Sequence, residues 1–439
     1  MPEGESLLLA VLVARDDRTH EEIVRGYNDC AAANNEDAAL SPRTFRRWLT
    51  GDVQTQPRPA QRRVARLYWG FTMEQLLAPA SPEMLQAGGS RLPAHPADPS
   101  PHVERQLTMA TRRAARFTTF AESQNIGPET VDQLRDHIAE LARASIRDPL
   151  NTMVGDLVAT QDTIFTLLEG KQRPVQTREL YLLAGIASGL LAKTSHDLGQ
   201  SHNAMTQART AYVCADNADH HGLRSFARAM QSLIAYWAGR PQEAVRYARS
   251  GAEIGGQVTG SVSAWLPALE ARAWAQLGDP AQAHRAIADA EAARDRVAPD
   301  EFDRIGGILA FPLAKQRYYA AGALVYLDGE AAQGGAEAYA ALNLYEQDEL
   351  TERSYGDEAG ARAELAISRI QGGDADGAYE AILPVFDLPP ERRNNGIVVS
   401  LMRVHAALRA PGLAASMVAR NARDEIEEFS RRPVAALPR

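Results

Sequence analysis

The chain has 439 residues, 45 % of them hydrophobic and 23 % charged, with a formal net charge of −9. This is the profile of a soluble globular protein, long enough for two or three domains and a sizeable core. Cys30 and Cys214 are the only cysteines, which excludes a disulfide framework and a cysteine-rich zinc site and makes a reducing cytoplasm the simplest home.

The first expected element is a helix over Leu7 to Ala14. Its apolar run is too short to span a bilayer and lacks a basic flank, so neither a signal peptide nor a membrane partner is expected. Thr19-His20-Glu21-Glu22 reads as a capping box that opens a second helix bearing Ile23 and Tyr27. The third helix is the most informative. Ser41 can cap it or bond a phosphate, Pro42 occupies its first position and Gly51 stops it. Phe45, Trp48 and Leu49 share one face, which is expected to be core. Arg43, Thr44, Arg46 and Arg47 point away from that face. A fourth helix from Pro59 to Trp69 continues the basic character with Arg62, Arg63 and Arg66, preceded by Arg58; Thr72 to Leu77 closes the unit. Seven arginines against one acid, Asp52, lie between Ser41 and Gly70, although the whole chain is acidic. Residues 1–78 therefore read as a small helical domain.

Six prolines between Pro79 and Pro101, mixed with Gly88-Gly89-Ser90, mark residues 79–102 as a linker. Residues 103–439 read as helical throughout, with no alternating period of a strand. Their clearest regularity is a repeat. Gly199, Gly239, Gly278, Gly329 and Gly373 each sit in a short polar turn between two apolar-periodic segments. Seven positions before these glycines stand Ala192, Ser232, Ala271, Gly322 and Ala366. Five positions after them stand Ala204, Ala244, Ala283, Gly334 and Ala378. Nine positions after stand Ala208, Ala248, Ile287, Ala338 and Ile382. Small residues in aligned registers let the two helices of a hairpin approach closely.

This repeat resembles the tetratricopeptide repeat (TPR), with units longer than the usual 34 residues. The first domain resembles the Xre-type helix-turn-helix in Thr19 to Glu22, Ser41 to Gly51 and Met73 to Leu77. The span from Thr19 to Ser41 is about ten residues longer than usual, so the second helix or the following turn must be extended. Together the modules look like the actinobacterial regulators that join an N-terminal helix-turn-helix to a C-terminal TPR-like sensor; Tyr181 to Gly185 and Gln231 to Trp237 are typical of that group. The expected fold is all-α: a helix-turn-helix bundle followed by a TPR-like α-solenoid.

The resemblance implies a transcriptional regulator that binds double-stranded DNA and senses a peptide, small molecule or protein effector. Ser41, Arg43, Thr44, Arg46 and Arg47 are the candidates for the major groove, where Arg can bond guanine bidentately. Arg58, Arg62, Arg63 and Arg66 are better placed for phosphates. The competing reading is that these arginines solvate a small bundle. In a TPR superhelix the first helix of each pair lines the concave face. Counting from the turn glycines places Lys193, His196, Tyr236, Trp237, Trp265, Arg272, Gln276, Tyr319 and Tyr326 there as candidate effector contacts. For each singly the alternative is inter-repeat packing or a solvated face. A homodimer is expected, held by the solenoid or by a final helix over Leu413 to Arg431. No enzymatic constellation is found. There is no P-loop motif, and the pairs His220/His221 and His196/His202 lack metal spacing and read as surface. Asp132, Asp136 and Glu140 read as a solvated helix face, so neither cofactor nor metal is expected. The alternative function is a scaffold or adaptor that binds proteins and never touches DNA.

Overall fold

The computed structural model describes residues 6–16, 18–34, 36–53, 57–81, 101–121, 126–255, 258–347, 353–413 and 416–431. All regular structure in them is helical apart from one isolated bridge between Leu7 and Pro79, as the sequence predicts. The chain divides into two units, Met1–Leu107 and Thr108–Arg439.

The first unit contains α1 (Leu8–Ala14), α2 (His20–Ala33), α3 (Pro42–Thr50), α4 (Pro59–Trp69) and α5 (Met73–Leu76). The capping box at α2 forms: the Thr19 hydroxyl accepts from the Glu22 amide, and the Glu22 carboxylate accepts from the Thr19 amide at 2.8 Å. The extra length between Thr19 and Ser41 is taken up by a 14-residue α2 and an irregular segment before α3. Asn28 clamps that segment. Its side chain accepts from the Leu40 amide at 2.7 Å and donates to the Leu40 carbonyl at 3.1 Å. The core is aromatic. Tyr27 lies edge-on to Trp48 and Tyr68, and Phe45 stacks on Trp69 with ring centroids 6.2 Å apart. Phe45 and Trp48 are thus core, as their spacing predicts.

The two ends of this unit are tied together. Leu8 donates to the Ala78 carbonyl and Ala80 to the Ser6 carbonyl. Within the stretch expected as a linker, 79–102, Pro79 and Ala80 pair with Leu7 and Ser6, and Pro101 begins α6 (Pro101–Ala121). Most of the remainder lies outside the described residues.

The second unit continues with α7 (Pro128–Ala144), α8 (Leu150–Leu168), α9 (Pro174–Asp197), α10 (Ser201–Asn217), α11 (His221–Trp237), α12 (Pro241–Gly255), α13 (Val262–Gln276) and α14 (Pro280–Arg294). It ends with α15 (Glu301–Ile305), α16 (Leu313–Leu324), α17 (Ala331–Gln347), α18 (Tyr355–Gln371), α19 (Ala375–Phe386), α20 (Asn395–Ala407) and α21 (Met417–Ser430). Six hairpins follow one another: α9/α10, α11/α12, α13/α14, α16/α17, α18/α19 and α20/α21. The five turn glycines all adopt positive φ, from +71° to +82°, which ends one helix and turns the chain into the next. The aligned small residues are the crossing points. Ser232, seven before its glycine, donates from its hydroxyl to the carbonyl of Ala244, five after it, at 2.8 Å. At Gly334 an added Cβ would sit 2.9 Å from the Val325 side chain. Ile287 alone among the aligned registers is only half-buried; the neighbouring Ala286 takes its place inside.

The first helices of the pairs, α9, α11, α13, α16, α18 and α20, each touch the next, and α20 returns to touch α9. Their inner faces enclose the cavity described below. The final helix α21 spends its apolar face within the unit, burying Ala419, Ala422, Ile426 and Phe429 as it packs on α19 and α20. That face is therefore not available for the dimer contact expected of it. A 3-10 turn (Gly307–Leu309) tucks against α7, with Gly307 at φ +59° and the site of an added Cβ only 1.9 Å from the Ala142 carbonyl oxygen. The Gly307→Ala variant should lose at least about 2 kcal/mol, from strained φ and backbone overlap together. Urea unfolding followed by helical circular dichroism checks this; an unchanged midpoint would contradict the packing.

Candidate functional site

Two features stand out chemically, one in each unit. In the first, α3 is fixed at both ends. The Ser41 hydroxyl accepts from the Thr44 amide at 3.1 Å, and Gly51 closes the helix at φ +73°. Ser41 is therefore a cap. Its oxygen also lies 2.9 Å from the Thr44 hydroxyl, so both expected groove residues are engaged with each other. The helix holds its arginines on a rigid base because Phe45 and Trp48 are locked in the aromatic core.

Arg43, Arg46, Arg47, Arg58, Arg63 and Arg66 are exposed, and Arg62 is half-buried. Acids outside the counted window fold back onto some of them. Arg63 forms a two-pronged pair with Glu36 at 2.6 and 2.7 Å, which holds the Glu36 carboxyl below its ordinary range. Arg62 approaches Glu74 at 4.0 Å. Arg47 donates to the Asp52 carbonyl at 3.1 Å, with the Asp52 carboxylate 3.9 Å away. Arg43, Arg46, Arg58 and Arg66 make no ion pair among the described residues. The free positive charge is thus smaller than the linear count, and four side chains carry it.

In the second unit the six inner helices surround a cavity of about 60 Å³. Lys193, His196 and Asp197 come from α9, Trp237 from α11, Arg272 from α13, and Lys315, Tyr318 and Tyr319 from α16. Asp357 of α18 and Ser400 of α20 complete the ring, with Ile308 of the 3-10 turn. Lys193 pairs with Asp197, and Lys315 with Asp357 at 3.2 Å. Deeper still, Glu364 is fully buried and accepts two hydrogen bonds from Arg403, at 2.8 and 3.1 Å.

Arg272 is different. It is 0 % exposed, and none of its three guanidinium nitrogens has a hydrogen-bond partner among the described residues. Four rings surround it instead: Tyr236 at 4.4 Å, Tyr319 at 4.5 Å, and Trp237 and Tyr318 at 5.3 Å from its central carbon. Ring faces attract a cation but offer few acceptors to its five N–H donors.

Of the residues predicted to face inward, Lys193, His196, Trp237, Arg272 and Tyr319 line the cavity, and Tyr236 packs on Arg272. Trp265, Gln276 and Tyr326 do not. Trp265 lies two helical turns before Arg272, where it stacks on Phe311 at 5.8 Å. Gln276 lies one turn beyond Arg272, at the exposed end of α13. Tyr326 falls past the end of α16, 39 % exposed beneath Arg403. The reading of His196 as a surface residue is also corrected, since it is buried beside Trp237. His220 caps α11 by accepting from the Leu223 amide and bonds Glu301 at 2.5 Å. Asp132, Asp136 and Glu140 are exposed, as expected.

Sequence reasoning missed Lys315, Tyr318, Asp357, Glu364 and Arg403. Their pairings span about forty residues, and no local spacing signals them. Asp197 was missed as well, although its i, i+4 spacing from Lys193 could have found it. Among the described residues no group of three or more His, Cys, Asp or Glu is arranged to hold a metal, and no helix is long and apolar enough to cross a membrane.

Burial pushes the His196 imidazole down to about 4, with Lys193 and Arg272 acting in the same direction and Asp197 against. It is therefore neutral in the folded protein at pH 7, whereas an unfolded histidine titrates near 6.5. The unfolded state binds the extra proton, so stability is intact above pH 6.5 and falls as pH drops toward 4. The loss should be roughly 2 kcal/mol by pH 5 and on the order of 3 kcal/mol when complete. Denaturant midpoints of the native chain and of His196→Gln at pH 7.5, 6 and 5 test this. Native stability should fall by that amount more than the variant's, and parallel declines would refute it.

Comparison with models of known protein families finds no match, and comparison with curated proteins finds none either.

Proposed function

We propose that this chain is a DNA-binding transcriptional regulator, in which α3 reads the major groove and the helical repeats take up an effector that modulates it. The observation that carries the reading is α3 itself. It is capped at both ends, anchored by Phe45 and Trp48, and presents Arg43 and Arg46 outward with no ion pair among the described residues. A solvating arginine has no need of such rigidity, whereas a groove-reading helix depends on it, because bidentate contacts to guanine require a fixed approach. Arg58 and Arg66 also lack an ion pair among the described residues and suit phosphates, which supply affinity without sequence information. Arg63 is assigned a structural role through Glu36, and Ser41 and Thr44 the support of the helix start.

The effector half of the reading rests on the cavity. Six successive inner helices contribute side chains to one partly open cavity, so a molecule bound there can bias their mutual arrangement. A regulator of this kind commonly reads two half-sites as a homodimer in the cytoplasm.

The test is a mobility-shift titration of the full chain on fragments upstream of its own gene, at two salt concentrations. Arg43→Ala and Arg46→Ala should each weaken specific binding by about 5- to 100-fold while helical content is unchanged. Arg58→Ala and Arg66→Ala should weaken all sequences alike and each reduce the salt slope by about one. Arg63→Ala should cost less binding than Arg46→Ala. Equal effects at all five positions, or no retained complex at low salt, would refute groove reading by α3.

A further inference from the structure

Arg272 leaves a chemical imbalance at the centre of the repeats. Buried donors are almost always satisfied, and a buried guanidinium with none of its N–H groups bonded calls for a missing partner. Its neighbours do not supply one. Glu364, a buried carboxylate whose charge acts on it, is held by both terminal nitrogens of Arg403, so two guanidiniums share one negative charge. The two lysines of the cavity are each neutralised, by Asp197 and by Asp357. With His196 neutral, the enclosed charges sum to one unbalanced positive charge, on Arg272. That side chain borders the cavity, whose remaining wall is partly apolar through Leu233, Trp237 and Ile308.

We propose that the cavity is a binding site for a small organic monocarboxylate, whose carboxylate bonds the guanidinium of Arg272 and whose short apolar end lies against Trp237 and Ile308. The proposal deepens the effector reading above by naming the class of molecule, and it rests on that reading for its regulatory meaning. Three features select the class. A carboxylate is planar and presents two acceptors to the guanidinium fork. A single negative charge matches the single unpaired cation, whereas a doubly charged phosphate would face Asp197 and Asp357 with nothing to balance its second charge. A cavity of about 60 Å³ has room for about four to six non-hydrogen atoms, since one water needs about 10–15 Å³ by the same measure. That matches acetate, propionate or a short keto acid; a peptide or a nucleotide would extend well beyond it.

The test uses the full chain without DNA. Acetate, propionate, pyruvate, inorganic phosphate and chloride are titrated by calorimetry and by the shift in thermal midpoint at pH 7.5 and constant ionic strength. At least one carboxylate should bind one-to-one, with a dissociation constant between roughly micromolar and millimolar. The same titrations on Arg272→Met should show at least a 30-fold loss. That variant is expected to fold, because an apolar side chain of similar length removes a buried unpaired charge; the wild-type titration decides the matter by itself should it not. Absence of saturable carboxylate binding up to 20 mM overturns the proposal. So does phosphate or chloride binding as tightly as the best carboxylate, or full retention of binding by Arg272→Met. Repeating the DNA mobility shift at saturating carboxylate separates the two readings. An unchanged shift would remove the regulatory coupling while the binding assignment stands, and an intact shift beside a failed titration would do the reverse.

Discussion

In the second unit the helices of five pairs carry alanine, serine or glycine at most of the aligned positions beside their turns, and the close approach this allows governs what lies inside. A Cβ at Gly334 would already meet Val325, and at Gly322 it would come to 3.2 Å of Arg272 and 3.3 Å of Glu364. With so little side-chain volume at the crossings, successive first helices stack tightly enough for α20 to come back to α9. The inner faces then line a small, partly open cavity. Close packing also strips water from whatever polar groups point inward, which raises the cost of leaving any of them unpaired.

The interior chemistry follows from that dryness. Long side chains that would solvate freely on an open surface are drawn into pairs: Lys193 with Asp197, Lys315 with Asp357, Arg403 with Glu364. Such pairs add little net stability over apolar packing, but breaking one leaves a buried charge uncompensated. Arg272 sits among them with rings in place of acceptors. A cation held by four aromatic faces is stabilised enough to stay in the core, yet keeps hydrogen-bonding capacity that the protein itself does not use. The same desolvation holds His196 neutral at pH 7.

The first unit solves a different problem with the same means. Its helices are short, α3 having nine residues, and such helices gain little from propensity alone. Caps at Thr19, Ser41 and Thr72 satisfy their first amides, and interlocked rings of Tyr27, Phe45, Trp48 and Trp69 fix their angles. The outward arginines thereby gain a defined direction. A larger groove of about 350 Å³ between α13, α14, α16 and α17 contrasts with both features. Its arginines are already engaged, Arg317 with Glu337 and Arg294 with Gln316 and the Phe311 carbonyl.

Local physics made much of this readable in the sequence. Helix starts and stops, the positive-φ turn glycines, the aligned small residues and the core face of α3 are each set by residues within one or two turns, so spacing alone revealed them. What only the tertiary structure decided was compensation between distant residues. Glu36 and Glu74 reduce the free charge around α3 from outside the counted stretch, and Asp357 and Glu364 meet Lys315 and Arg403 across about forty residues. Trp265, Gln276 and Tyr326 share the helical pattern of cavity residues but lie too far along their elements to reach it. Periodicity fixes the side of a helix on which a residue lies; the height at which neighbouring helices meet, and hence which charge finds a partner and which, like Arg272, does not, is settled by packing in three dimensions.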